Sequence, residues 1–191
     1  MNYQDNRGFL VRHGETEWSL GRRHTGRTDL PLLPEGSVQA ESLSARLADQ
    51  EFALVLTSPL LRARETSRLA GWGDRAEVDP DLAEWDYGDY EGLTTAEILA
   101  EHPDWDLFAH GAPGGETPLE VGRRADRVIA RIRAADGDVL CFAHGHLLRV
   151  LAARWIGLDP EEGRGFTLDP ASVSILGWER FHPVVTRWNL S

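Results

Sequence analysis

Two short apolar runs in the chain each end in a histidine that is followed by glycine. Residues 9–11 lead into Arg12-His13-Gly14, and residues 139–143 lead into His144-Gly145. Each run has the length of a buried strand, and ligands of open α/β sheets bind beyond the carboxyl ends of the strands. An imidazole beside a guanidinium, with a glycine that allows close backbone approach, suits a phosphoryl group.

A single histidine at a strand end is more often structural than catalytic, and a three-residue motif recurs by chance. Two histidines in matching contexts favour a functional site instead. If their strands are neighbours in one parallel sheet, the imidazoles of His13 and His144 converge on one pocket. The sequence therefore predicts a site at these two strand ends.

Strands alternate with helices along the chain, which predicts a three-layer α/β domain. The 191 residues are expected to form one domain, residues 1–191, with a lid-like insertion at roughly 72–118. Ser58 and Pro59 are predicted to be the N-cap and first residue of a helix. Residues 14–33 and 102–116 are expected to be irregular loops. Strands are predicted at 9–12, 53–57, 139–143, 173–178 and 184–188, the last two near a sheet edge.

The charge and composition exclude several classes of protein. The formal net charge is −11, which argues against nucleic acid and anionic membranes as partners because both need a basic surface. All 20 basic residues are arginine, so the chain has no Schiff-base lysine, Walker lysine or lysine general base. Arginine still supplies a permanently charged, bidentate clamp for phosphate.

The expected compartment is the cytoplasm. The single cysteine, Cys141, cannot form an intrachain disulfide, which fits a reducing environment. Residues 1–8 lack the apolar segment of a signal peptide, and no apolar stretch is long enough to span a bilayer.

Four blocks of the sequence together resemble the histidine phosphatase superfamily, the phosphoglycerate mutase-like group, in its branch with a glutamate acid. They occur in the family's order, which makes the resemblance specific. The blocks are LVRHGETEW at residues 10–18, TSPLLRARET at 57–66, LAEWDYGDYEG at 82–92 and FAHGH at 142–146.

The resemblance implies a mainly parallel mixed sheet with helices on both faces, and it implies a role for each matching residue. His13 corresponds to the nucleophile that becomes phosphohistidine, and Glu84 to the general acid. Arg12, Arg62 and His144 correspond to the groups that contact the phosphoryl oxygens. Residues expected to contact the substrate are Ser19, Thr25, Gly26, Gly145 and His146. The broad-specificity acid phosphatase and sugar-bisphosphatase members are the most similar in these blocks.

The remaining histidines have less specific contexts. His24, His102, His110 and His182 are predicted to be structural or surface residues, whereas His146 either contacts substrate or caps a helix. No histidine or cysteine spacing typical of a metal site occurs. The sequence therefore predicts phosphoryl chemistry without a metal or other cofactor.

The leading hypothesis is a metal-independent phosphomonoesterase that acts on a small phosphorylated metabolite. Two alternatives stay open: a phosphoglycerate mutase-type phosphoryl transfer, and a phospho-ligand binding module without turnover. Many family members carry asparagine where this chain has Ser19, which puts that phosphate contact in doubt. The chain is also short for the longer lid of the bisphosphoglycerate-dependent mutases, which favours hydrolysis. A homodimer through the late strands is a further expectation.

Overall fold

A six-stranded sheet forms the centre of the computed structural model, which describes residues 6–191. The strands are β1 (Gly8–Arg12), β2 (Leu54–Thr57), β3 (Ala76–Val78), β4 (Val139–Ala143), β5 (Val173–Glu179) and β6 (His182–Leu190). Their order is β3-β2-β4-β1-β5-β6. The first four in this order run parallel, and β5 and β6 form an antiparallel hairpin at one edge. The expected mixed, mainly parallel sheet is confirmed.

Seven α-helices connect and cover these strands in the described part of the chain. They are α1 (Glu17–Leu20), α2 (Pro34–Leu47), α3 (Leu61–Leu69), α4 (Thr95–Glu101), α5 (Leu107–His110), α6 (Pro118–Ala134) and α7 (Gly145–Trp155). None of the helices in residues 6–191 is long and apolar enough to cross a membrane. The expectation that residues 1–8 contain no signal peptide falls largely on residues 1–5, which lie outside the described residues.

Alternate residues of the strands point to opposite faces of the sheet. On one face Leu10 and Cys141 pack with the apolar stripe of α6 and with α7. On the other face Phe142 and Phe9 pack with Leu43 and other residues of α2. Two separate apolar cores on the two faces of the sheet confirm the three-layer architecture.

The strand register brings the two histidine–glycine pairs together. β1 and β4 are parallel neighbours, and Arg12 pairs with Ala143 at their carboxyl ends. The His13 backbone N–H donates to the Ala143 carbonyl at 3.0 Å. His13 and His144 therefore leave the sheet at the same edge, side by side, as the sequence predicted.

The predicted helix start at Ser58 and Pro59 is wrong. α3 begins at Leu61, with Leu60 as its N-cap. The Ser58 backbone N–H continues the bonding to β4 by donating to the Phe142 carbonyl at 2.9 Å, which keeps this segment extended. The Ser58 hydroxyl instead accepts from the Leu60 backbone N–H at 3.2 Å.

Two segments that were expected to be irregular each contain a short helix. Residues 14–33 include α1, and residues 102–116 include α5. Thr16 caps α1 by accepting from the Ser19 backbone N–H, and Asp106 caps α5 by accepting from the Phe108 backbone N–H. These helices are too short for the periodicity of their apolar residues to be recognised.

The segment 72–118, predicted as a lid-like insertion, is only partly separate from the sheet. Its strand β3 pairs with β2, whereas the rest is made of 3-10 turns, α4 and α5. Within this second part, Glu84, Tyr87 and Thr95 line a cavity over the carboxyl ends of the strands. The idea that it moves as a lid stays a prediction.

Candidate active site

His13 is held in one tautomer by the backbone next to it. Its side chain is buried, and the ring Nδ1 lies 2.7 Å from the Gly14 carbonyl oxygen. A carbonyl oxygen only accepts, so Nδ1 carries the proton. The Nε2 lone pair of the neutral ring is then free to act as a nucleophile.

The surroundings of His13 keep the ring neutral. Its pKa is lowered well below the usual 6.5, mainly because burial disfavours the charged form and secondarily because Arg62 and Arg12 are nearby. The hydrogen bond to the Gly14 carbonyl opposes this shift without reversing it. At neutral pH the nucleophilic nitrogen is therefore unprotonated.

His144 lies beside His13 at the start of α7. The centroids of the two rings are 5.1 Å apart, with 59° between the ring planes. The ring Nε2 of His144 is 2.7 Å from the Ser58 hydroxyl. Burial, followed by Arg62, lowers the pKa of His144 well below 6.5. The predicted convergence of the two imidazoles is what the structure shows.

Arg62, on α3, is fully buried and lies near His13 and His144. Its guanidinium donates to the backbone carbonyls of Thr25, Gly26 and Thr28 at 2.8–3.1 Å. Arg12 similarly donates to the Leu168 carbonyl. Neutral carbonyls hold both cations in place and leave their charge uncompensated by any ion pair recorded in residues 6–191.

Several nitrogen atoms around His13 keep unused hydrogen-bonding capacity. Within residues 6–191, the Nε atoms of Arg12 and Arg62 and the Nδ1 atom of His144 are buried side-chain atoms without a hydrogen-bond partner. Buried polar groups normally have partners, so a cluster of unpaired ones needs an explanation. Two guanidinium groups beside a neutral imidazole fit an anion with several oxygens, such as a phosphoryl group.

Glu84 lies on the loop after the 3-10 turn Pro80–Leu82 and lines the same cavity as His13. It is 9% exposed, and its carboxylate accepts three backbone hydrogen bonds. The Trp85 and Leu147 N–H groups donate to one oxygen, both at 2.9 Å, and the His146 N–H donates to the other at 3.1 Å. The amino end of α7 therefore orients both Glu84 and His144.

Arg12, His13 and Glu84 line a cavity of about 510 Å³. Arg62, His144 and Gly26 are not among the residues that line it. The predicted residues that line the cavity are Arg12, His13, Ser19, Thr25, Glu84, Gly145 and His146.

Ser19 and Gly26 both have hydrogen-bond partners within the protein, and a contact of either with substrate stays a prediction. The Ser19 hydroxyl accepts from the Thr16 backbone N–H at 2.8 Å and donates to the Thr16 carbonyl at 3.0 Å, which completes a capping box on α1. The Gly26 N–H donates to the Glu91 carboxylate and its carbonyl accepts from Arg62. A Cβ at Gly26 would lie 2.6 Å from the Trp85 carbonyl oxygen. Gly26 therefore supports Arg62 from behind.

His24, Tyr87 and Arg149 are among the cavity-lining residues that were not identified as functional from the sequence. His24, predicted to be structural or a surface residue, lines the cavity together with Tyr87 and Arg149. Tyr87 lies in the acidic LAEWDYGDYEG block, and its aromatic type could have marked it as a candidate. No local signal singles out His24, because its hydrogen bond goes to the carbonyl of Leu93, far away in sequence.

The titratable side chains of residues 6–191 contain no group of three or more that is arranged to hold a metal ion. The donors around His13 are arginines, histidines and backbone N–H groups. Arginine and a backbone N–H carry no lone pair for a metal ion. The arrangement is suited to an anion.

Comparison with known proteins identifies the class. Residues 9–191 match the model of the histidine phosphatase superfamily, branch 1, and the chain belongs to this superfamily. It is a hydrolase of the phosphatase type, as the sequence predicted.

Several relatives match over most of their length. An acid phosphatase of Mycobacterium tuberculosis is 42% identical, with 94% of this chain and 90% of the relative covered. The sedoheptulose 1,7-bisphosphatase of Saccharomyces cerevisiae is 41% identical, with 82% and 69% covered. Among solved structures, mycobacterial glucosyl-3-phosphoglycerate phosphatase with VO3 superimposes with a TM-score of 0.87 at 28% identity, covering 97% of this chain and 100% of that chain.

Proposed function

We propose that the protein is a metal-independent phosphomonoesterase that cleaves small phosphorylated metabolites through a phosphohistidine at His13. One observation carries the proposal. The Gly14 carbonyl fixes the proton on Nδ1 of His13, and Arg12, Arg62 and His144 lie near the ring, each with a buried nitrogen atom that lacks a hydrogen-bond partner. A nucleophile and a cradle for the oxygens of its target therefore occupy one place.

In the first step, Nε2 of His13 forms a bond to phosphorus while the bond from phosphorus to the ester oxygen breaks. Phosphoryl transfer spreads charge over the equatorial oxygens, so positioning and electrostatic stabilisation supply most of the catalysis. Arg12, Arg62 and His144 provide both. Glu84, carrying a proton, gives it to the leaving alkoxide, which departs as an alcohol.

In the second step, the ionised Glu84 takes a proton from water, and the resulting hydroxide attacks the phosphorus of phosphohistidine. The bond from phosphorus to nitrogen breaks, phosphate leaves, and His13 returns to its neutral form. Glu84 regains the proton that it gave away in the first step. The backbone N–H groups of Trp85, His146 and Leu147 keep its carboxylate at the cavity throughout.

The first experiment measures phosphate release from p-nitrophenyl phosphate in EDTA. We expect His13→Ala to abolish it and the exposed histidine variant His182→Ala to retain it. Acid-labile, base-stable incorporation of labelled phosphate should occur in the wild type and be lost with His13. Equal rates of wild type and His13→Ala refute the proposal.

The role of Glu84 is tested by the choice of leaving group. An alkyl alcohol needs a proton to depart, whereas p-nitrophenolate does not. Glu84→Gln should therefore slow hydrolysis of an alkyl phosphate by about 10²- to 10⁴-fold, the range of general acid catalysis, and slow formation of the phosphoenzyme from p-nitrophenyl phosphate much less. Equal losses of the phosphorylation rate for the two esters contradict the assignment.

The mutase alternative is tested on 3-phosphoglycerate. A 2,3-bisphosphoglycerate-dependent phosphoglycerate mutase of Gloeobacter violaceus is 32% identical to this chain, with 80% of the chain covered. We expect released phosphate to exceed isomerised product, with and without added 2,3-bisphosphoglycerate. Isomerisation faster than hydrolysis favours the mutase. Binding of phosphate esters without any turnover favours a binding module.

We also propose the cytoplasm as the location and a homodimer as one assembly to test. The single cysteine and its burial support a reducing compartment. The edge strand β6 and the exposed Phe181 beside it support pairing through that edge. Cell fractionation tests the cytoplasmic location. Light scattering, which compares Phe181→Asp with the wild type, tests the homodimer.

A further inference from the structure

The wall of the cavity contains two histidine side chains that the mechanism does not use. His24 and His146 lie with their ring centroids 6.0 Å apart and their planes within 11° of parallel. Both line the cavity that contains His13 and Glu84. In that cavity they are available to the part of a substrate that leaves as the alcohol.

The hydrogen bond of the His24 ring to the Leu93 carbonyl leaves its other ring nitrogen as an acceptor. Its Nδ1 lies 2.8 Å from the Leu93 carbonyl oxygen, so Nδ1 carries the proton of the neutral ring. Burial lowers the pKa of His24, although the Leu93 carbonyl partly opposes this. The Nε2 atom then has a lone pair and no proton.

The hydrogen bond behind His146 makes it a donor. Its Nδ1 lies 2.6 Å from the hydroxyl of the buried Tyr87. The pKa of Tyr87 is raised well above 10.0 and that of His146 is lowered well below 6.5, in both cases mainly by burial. Both groups are therefore neutral, and the phenol is the stronger donor of the two. With Tyr87 donating to Nδ1, the proton of His146 is on Nε2.

His146 is also hydrogen-bonded to Glu84, the proposed general acid. Its own backbone N–H donates to Glu84, the residue that protonates the leaving group. A substrate whose ester oxygen reaches Glu84 therefore places its neighbouring atoms near the His146 ring. Arg149 adds a charge at the same wall, and its Nε is occupied by the Gly163 carbonyl.

We propose that His24 and His146 form a hydroxyl-binding pair that selects phosphorylated polyols and sugars, and that Tyr87 is the positioning residue that fixes the donor role of His146. A hydroxyl group both donates and accepts a hydrogen bond, so adjacent hydroxyls satisfy one acceptor nitrogen and one donor nitrogen. An alkyl or aryl leaving group makes a hydrogen bond with neither the acceptor nitrogen nor the donor nitrogen. This inference rests on the proposed phosphatase function and adds the class of substrate.

The test compares matched substrates that differ only in their hydroxyl groups. Glycerol 3-phosphate is paired with n-propyl phosphate, and ribitol 5-phosphate with n-pentyl phosphate. Two hydrogen bonds of ordinary net strength correspond to a preference of about 10- to 100-fold in kcat/KM for the hydroxylated member of each pair. Equal kcat/KM within both pairs refutes the inference.

The variants compare this preference between proteins, so the intrinsic reactivity of each ester cancels. His24→Phe should reduce the ratio within each pair by about 3- to 10-fold, the worth of one hydrogen bond. Tyr87→Phe removes a single oxygen atom and should also reduce the ratio. Tyr90→Phe is the matched control, because Tyr90 packs on Trp105 and His102 and is not among the residues that line this cavity. The ratio in Tyr90→Phe should equal that of the wild type.

The outcomes separate this inference from the proposed function. If His13→Ala still releases phosphate, the phosphatase mechanism is wrong. If release depends on His13 but His24→Phe and Tyr87→Phe keep the wild-type ratio, only the hydroxyl-binding pair is wrong. The hydroxyl-binding pair is also wrong if the kcat/KM ratio within each substrate pair falls as far in Tyr90→Phe as in Tyr87→Phe. The loss of preference is then not specific to this cavity wall.

Discussion

Mild acid is expected to destabilise this protein steeply, because three histidines of the site are neutral in the folded state. Burial is the main cause that lowers the pKa values of His13, His144 and His146 well below 6.5, and nearby arginines add to it. In the unfolded chain these side chains take up protons near their usual pKa. The unfolded state therefore binds more protons than the native state as the pH falls below 6.5.

The sign and size of the effect follow from proton linkage. Stability rises with pH wherever the unfolded state binds more protons. The contribution of the three histidines to the free energy of unfolding is thus complete above pH 6.5, and it is lost progressively below that pH. Each proton corresponds to about 1.4 kcal/mol per pH unit, so three give a slope that approaches about 4 kcal/mol per pH unit. Since a domain is stable by about 5–15 kcal/mol, roughly one pH unit removes a large part of the total.

Urea unfolding at a series of pH values between about 7.5 and 5.5, in buffer free of phosphate, measures this slope. In His144→Gln the slope should fall by about 1.4 kcal/mol per pH unit, which corresponds to one proton. The exposed His182→Gln should keep the wild-type slope. A stability that is flat across this range refutes the reasoning. An unchanged slope in His144→Gln shows that groups other than the buried histidines carry the effect.

Three substitutions test other parts of the site. Arg62→Lys keeps the charge but loses the fork that three carbonyls hold, so kcat/KM should fall by about 10²- to 10³-fold; a loss below about tenfold contradicts its role. Gly14→Ala would place a Cβ 2.3 Å from the Gly36 carbonyl oxygen and should cost about 1–3 kcal/mol in urea unfolding. Gly165→Ala, with open space around it, is the control and should be much less costly. Ser19→Ala should cost about 1 kcal/mol through the lost cap while vanadate affinity is retained; a large loss of affinity would show that the hydroxyl contacts the phosphoryl group.

The convergence of His13 and His144 could be predicted from sequence because it depends on strand direction alone. Two parallel strands that each end in His-Gly place both rings at the same edge of the sheet. The register of β1 and β4, which pairs Arg12 with Ala143, then decides the distance between the two rings. The resemblance to a known family supplied Glu84 and Arg62, which no periodic pattern places near these strands.

The cavity wall could not be predicted in the same way, because it is set by hydrogen bonds between distant loops. The environment of His24 depends on the Leu93 carbonyl, and the tautomer of His146 depends on the Tyr87 hydroxyl. Ser58 shows the same limit. Its sequence context is that of a helix cap, but the neighbouring strand keeps it extended and His144 binds its hydroxyl. Local propensity yields here to tertiary contacts.

The partners of the arginines explain how a chain with a net charge of −11 can form a site for anions. Several arginines elsewhere are neutralised by carboxylates, such as Arg154 by Asp126 and Arg124 by Glu116. Arg12 and Arg62 are bound by backbone carbonyls instead. A carbonyl satisfies the N–H groups of a guanidinium without cancelling its charge, so the full charge is available to a phosphoryl group where burial weakens screening by water and salt. The acidic surface then affects how fast a substrate arrives, whereas these two arginines determine how strongly its phosphoryl group is stabilised.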